Sequence, residues 1–336
     1  MLGTFRLVLA LAVALTHAGV SYAGLDLGVI AVVCFYLLSG YVMTGLIRTH
    51  YPGSGQAWRF YLDRVLRLWP HYLVVAGITL AWFWTSGINT YFLSRQPTLM
   101  DAFNNLVIVP HNYYMFNDAS RFALVPVSWS LGAEIQFYFI APLVVLTRLR
   151  HLVLSGSAAV FVLACFGVLQ TEWYGYRLAA GVMFMFMIGS LLYDAHWSRD
   201  RPMQRRGWIL LAWLAAVLVT AFVAQAGALL RPFNRETLIG LIGGISLLYV
   251  LGRLPRQRWD DRLGDLAYGV FLNHLTVQLF LFTQVQVTRV TIVLYLALSL
   301  LAASALFYSV ERPIVKLRYS LRKGAAPATG TASAGR

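Results

Sequence analysis

FRLVLALAVALTHAGVSYAG, residues 5–24, and LGVIAVVCFYLLSGYVMTGLI, residues 27–47, decide the fold. A helix that crosses a bilayer needs roughly 20 predominantly apolar residues. Here two such runs stand back to back, with only Leu25 and Asp26 between them. The first alone imitates a secretory leader: Arg6 is its one early positive charge, and Ser21-Tyr22-Ala23 resembles a cleavage site. The second run, and the many that follow, argue for a retained span instead. Runs of the same kind lie at 69–87, 130–147, 151–169, 177–194, 208–228, 236–251, 265–284 and 289–309. The expectation is an all-α, polytopic membrane helix bundle of about ten transmembrane helices. A weaker apolar stretch at 97–110 reads as interfacial or re-entrant.

Composition agrees. Of 336 residues 59% are hydrophobic and 12% charged, about half the charged share of a soluble domain, and the mean hydropathy is +0.66. Cys34 and Cys165 both lie inside apolar runs, where they read as buried small hydrophobes rather than a bridge or a metal site. The net charge of +14 would suggest nucleic acid in a soluble protein. In a polytopic chain it is first an orientation signal, because Lys and Arg collect on the cytoplasmic side. With the N-terminus inside, 21 of the 27 positive charges fall on that side. The alternation predicts an even number of spans, both termini cytoplasmic, and no full crossing at 97–110. One transmembrane domain is expected over 1–323, followed by a small, polar, disordered cytoplasmic tail at 324–336.

Ionisable residues inside spans are costly and are functional candidates by default. Arg6 and His17 are eleven apart, roughly 20° from a whole number of turns and about 16 Å along one face. Arg6 stands at the cytoplasmic edge, and His17 lies deeper, towards the outer half. An imidazole there is a ready general base, although a snorkelling Arg and a His bonded to a neighbouring helix are equally compatible. Arg64 and Arg67 share a face of an amphipathic cytoplasmic turn leading into the third span. Two guanidiniums so placed suit a phosphorylated ligand, or lipid headgroups and orientation. Ser130 and Glu134, four apart, line up on one face, and a carboxylate there demands a partner. Ser39-Gly40 marks close helix packing. No phosphate-cradling glycine loop, metal-spaced cluster or G-x-S-x-G turn is present.

Taken together, these segments resemble acyltransferase family 3, membrane proteins that O-acylate sugars and related acceptors. The resemblance runs from Arg6 to Pro313. It rests on Arg6 with His17, on Phe35 to Tyr41, on Arg64, Arg67 and Pro70, and on Trp129-Ser130-Leu131 with Glu134, Phe137, Tyr138 and Pro142. It continues through Gly264, Tyr268, Leu272 and His274, and closes at Glu311-Arg312-Pro313. The usual Asp and Gly before the first arginine are missing, and Ala267 and Phe271 replace the common Ser and Tyr of the late motif.

The resemblance implies a stand-alone form, without a fused extracytoplasmic domain, in the bacterial inner membrane. It implies an acyl-coenzyme A donor on the cytoplasmic side, bound by Arg6, Arg64 and Arg67, with acetyl the commonest acyl group and no bound cofactor or metal. The acceptor would be a hydroxyl of a cell-surface glycan or its lipid-linked precursor, with lipids and no nucleic acid as further partners. His17 would be the catalytic base. Glu134 would orient or charge-balance His17, or position the acceptor. Ser39 and Tyr138 would serve as acyl carriers, and Tyr36, Trp129, Ser130 and His274 as carriers or substrate-positioning residues. Two rivals from other classes remain: a proton-coupled transporter or flippase of a lipid-linked sugar, and a non-catalytic subunit of envelope assembly.

Overall fold

The computed structural model describes residues 1–147, 149–198, 200–282 and 285–323. The expected tail at 324–336, and Arg148 and Arg199 of the orientation count, lie outside the described residues. The regular elements are helices: α1 (Leu2–His17), α2 (Leu27–His50), α3 (Ala57–Ser86), α4 (Leu99–Val107), α5 (Ser128–Leu146), α6 (Leu149–Cys165), α7 (Ala179–Trp197), α8 (Pro202–Gln225), α9 (Asn234–Leu251), α10 (Arg258–Phe282), α11 (Arg289–Leu306) and α12 (Arg312–Lys323). Six helical segments of the described residues are long and apolar enough to cross a membrane. α1 and α6 are apolar but shorter.

The surface reverses that of a soluble protein. α8 turns Leu210, Leu211, Leu214, Leu218 and Phe222 outward, and α11 turns out Val290, Val293 and Leu301. Asp63, His71, Asp194 and His274 are buried. Exposed leucine rows and buried ionisable groups suit a lipid solvent.

Close crossings fix the bundle. A Cβ on Gly40 would fall 1.9 Å from the Phe186 carbonyl oxygen, and one on Gly189 would fall 1.9 Å from that of Leu37. The backbones of α2 and α7 therefore touch, as small residues permit in membranes. α1 meets α10 in the same way at Gly3 and Gly264. There the Asp260 carboxylate accepts from Gly3 N (2.9 Å), Thr4 N (2.7 Å) and the Thr4 hydroxyl (2.7 Å), satisfying the unpaired donors that begin α1.

At the end of the bundle where α1 begins, two aspartates gather the arginines. Asp194 of α7 holds Arg48 (2.9 Å), Arg150 (2.7 Å) and Arg205 (3.5 Å), from α2, α6 and α8. Asp63 of α3 holds Arg64, and also Arg318 (3.0 Å) and Arg322 (3.3 Å) of α12.

Three features bear on the site, and the first two differ from the sequence-based expectation. First, α1 ends at His17 rather than running on to residue 24. Gly19 adopts φ +82°, and Gly19 N and Val20 N close back on the carbonyls of Thr16 (2.9 Å) and Leu15 (3.0 Å), the glycine-ended helix stop. His17 is thus a terminal residue, not one inside a span. Second, Arg64 and Arg67 belong to one continuous helix, α3, which carries Pro70 in its interior. Third, the 97–110 stretch leaves and returns at one place. Ser94 N bonds Arg121 O (3.0 Å) and Ala123 N bonds Phe92 O (2.8 Å), pinning its two ends together. Between them, α4 and the turn Val109–Tyr113 tuck against α3 and α5: Trp69 Nε1 donates to Leu106 O (2.8 Å), and Tyr113 donates to Gln136 (2.6 Å). The segment is an excursion that begins and ends at the same place.

Candidate active site

His17 is held by α10 and α11 together. Its carbonyl accepts from Gln278 Nε2 (3.0 Å), and the Ala14 carbonyl accepts from the Tyr295 hydroxyl (3.2 Å). Its ring meets that of His274 at 28° with centroids 5.1 Å apart, and His17 Nδ1 lies 3.0 Å from His274 Nε2. His274 is fully buried, whereas His17 is exposed to two adjoining cavities of about 90 and about 260 Å3. Both are also lined by Val127, Trp129 and Arg177. The smaller one reaches Ser130, Tyr176 and Asp26, and the larger reaches Tyr91, His111 and Tyr114.

Arg177 was not among the residues singled out from the sequence. Its guanidinium sits 4.6 Å from the ring centre of Trp129, 5.3 Å from Tyr176 and 5.4 Å from Tyr114, and Nε donates to Glu172 (2.8 Å). In the sequence Arg177 is only a charge before an apolar run. Tyr176 is its immediate neighbour, while Tyr114 and Trp129 reach it from positions 63 and 48 residues earlier.

Glu134 does not pair with His17. Its Oε1 accepts from the Ser39 hydroxyl of α2 and from the Tyr138 hydroxyl one turn further along α5, both at 2.6 Å. Two candidate nucleophiles thus share one carboxylate oxygen, the arrangement by which a base activates a hydroxyl. Ser130, on the same face of α5, spends its hydroxyl on the Val127 carbonyl (2.9 Å). Tyr36 is buried against Phe186 at 4.9 Å, and its phenol finds no partner among the described residues.

The three arginines behave differently from one another. Arg64 is buried, ion-paired with Asp63, and stacks 5.8 Å from the Tyr138 ring centre. Arg67 pairs with Glu311, which also binds His71 Nδ1 (2.6 Å), and lies 5.0 Å from the Tyr268 ring centre. Glu311 of the closing E-R-P thus serves α3. Arg6 makes no ion pair among the described residues. Its one bond is long, 3.4 Å to Leu2 O, and Cζ lies 3.5 Å from where a Cβ on Gly264 would stand. Arg6 and His17 both face α10, as their helical spacing requires.

A carboxylate that accepts from two hydroxyls, a histidine open to a cavity at one end and arginines at the other are parts suited to group transfer. The profile of the family described as "Acyltransferase domain" matches residues 2–308. An uncharacterized protein of Aquifex aeolicus is 31% identical over 59% of this chain and 91% of its own. Peptidoglycan O-acetyltransferase OatA of Listeria monocytogenes is 24% identical over 93% of this chain, which spans 55% of that protein. No solved structure matches. The chain belongs to acyltransferase family 3 and is a helical membrane acyltransferase.

Proposed function

We propose that this acyltransferase takes an acyl group, acetyl by preference, from coenzyme A at the arginine-rich end. It passes that group to a hydroxyl of a cell-surface glycan or its lipid-linked precursor at the opposite end. In this reading ten helices, α1–α3 and α5–α11, cross a bacterial cytoplasmic membrane with both termini inside, and α4 dips in and returns. The observation that carries the reading is the position of His17: a terminal, cavity-facing imidazole at the far end of the helix that begins with the unpaired Arg6.

His17 takes the proton of the acceptor hydroxyl as its oxygen attacks the acyl carbonyl, and the displaced thiolate is protonated to leave as the thiol. Arg6 is available to donor phosphates without breaking an ion pair, whereas Arg67 is engaged by Glu311. Ser39, Glu134 and Tyr138, joined through one carboxylate oxygen, are candidates to relay the group. The similarity to a peptidoglycan O-acetyltransferase supports a cell-wall glycan as acceptor.

The test is acyl transfer by purified protein from acetyl-coenzyme A to peptidoglycan fragments, read by mass spectrometry. His17→Ala is expected to lower kcat about 100-fold or more. Arg6→Ala is expected to raise the donor KM with kcat largely kept. Full activity of correctly inserted His17→Ala would remove the histidine from this role.

A further inference from the structure

His274 matched only a late motif, with no role attached beyond carrying or positioning. The hydrogen bonds around it fix more than that. A backbone carbonyl can only accept, and Val270 O lies 3.1 Å from His274 Nδ1. The proton of a neutral His274 is therefore on Nδ1, and its Nε2 carries a lone pair. His17 Nδ1 lies 3.0 Å from that lone pair, so His17 must be the donor. A neutral His17 then has its proton on Nδ1 and a lone pair on Nε2, and the Val13 carbonyl one turn back on α1 is a second acceptor for the ring. A free imidazole favours the opposite tautomer, with the proton on Nε2. That form offers no base on the side away from His274.

We infer that His274 is a positioning residue that sets the tautomer of His17 and leaves Nε2 as the base towards the cavity. The inference rests on the reading of His17 as the base in acyl transfer. The scaffold suits the task. His274 is fully buried on α10, one turn before Gln278, which holds the His17 carbonyl at 3.0 Å, while Tyr295 of α11 holds Ala14 O at 3.2 Å. The last turn of α1 is thus held by its backbone from α10 and α11 and by its ring from α10. When His17 accepts a proton on Nε2, Nδ1–H still points at the His274 lone pair, so the imidazolium keeps its partner. In hydrolytic triads a carboxylate performs this office. A neutral imidazole does so without placing a second charge in an apolar span, where ionised groups are expensive.

The experiment is nitrogen NMR on the full chain labelled with 15N-histidine, in lipid nanodiscs, with the His17 signals identified by their loss in His17→Gln. The wild type is expected to show His17 protonated at Nδ1 and bare at Nε2. His274→Leu removes the acceptor: the proton should move to Nε2, and kcat should fall about 100-fold, within the range of general-base contributions, while the donor KM changes less than about two-fold. His274→Gln places an amide oxygen near the lost Nε2. It should retain the Nδ1–H tautomer and recover activity to within about ten-fold of wild type.

A wild-type His17 protonated at Nε2, an unchanged tautomer in His274→Leu, or a glutamine variant as slow as the leucine variant would each overturn the inference. If His274→Leu fails to fold, the wild-type spectrum and the glutamine variant decide alone. A wild type that transfers no acyl group from any donor counts against the parent reading, and the NMR still settles the tautomer.

Discussion

Glu134 is where the chemistry of single residues is most exposed to test. Both hydroxyls donate to the same oxygen, Oε1, so losing one leaves the carboxylate with the other. Glu134→Gln removes the proton acceptor from both and is expected to lower kcat about 100-fold. Ser39→Ala and Tyr138→Phe should each cost about ten-fold, and combining either with Glu134→Gln should add little, since groups that act as one unit are not additive. Turnover of the purified variants decides this, and fully additive losses would separate the hydroxyls from the carboxylate. The individual residues were legible in the sequence, but their partners were not. Helical arithmetic places Arg6 and His17 on one face because both belong to one helix. It says nothing about which of several helices supplies the partner of a polar group, and His274 lies 257 positions from His17. The same limit hid the aromatic cage of Arg177.

Helices, by contrast, were readable where composition alone decides them. The stretch 97–110 reads as interfacial or re-entrant, but its path was not legible: a nine-residue helix is about 13 Å long, less than half the hydrocarbon thickness. Its outward row of Leu99, Phe103 and Leu106 has helical spacing, but only the pinned ends at residues 92–94 and 121–123 turn it back. The docking of α1 on α10 was equally hidden, since the sequence shows Asp260 merely as an acidic residue in a basic loop. Burial opposes ionisation of this carboxyl. The N–H groups of Thr4 and Gly3, the Thr4 hydroxyl and the terminal ammonium outweigh burial and hold its pKa below the usual range. A pKa depressed on folding contributes stability that is fully present above the unfolded value of about 4 and is lost as pH falls below it. Asp260→Asn is therefore expected to destabilise the protein by about 1–3 kcal/mol near neutral pH. The gap to wild type should begin to narrow as pH falls below about 4 and go on narrowing towards the depressed folded pKa. Thermal unfolding in detergent at several pH values measures this, and a pH-independent gap would show that the carboxylate charge is not what anchors α1.

For the molecule as a whole, the question is which end faces which side. Most of the ion-paired arginines gather at one end: Asp63 and Asp194 each hold three, leaving an excess of two positive charges at each cluster. Neither aspartate cancels the orientation signal, so this end should remain in the cytoplasm. Tyr91, 83% exposed, belongs to the opposite end, beside the cavity that holds His17. Gln204, exposed at the start of α8, belongs to the arginine end. Both native cysteines, Cys34 and Cys165, are free and buried, which gives a silent background for thiol labelling. Tyr91→Cys is expected to react with a membrane-impermeant maleimide in intact spheroplasts, and Gln204→Cys only after the membrane is opened. The reverse pattern would place the histidine and its cavity in the cytoplasm with the acyl donor. A glycan outside the cell could not then be the acceptor, and the hydroxyl acylated would have to belong to a precursor still on the inner leaflet.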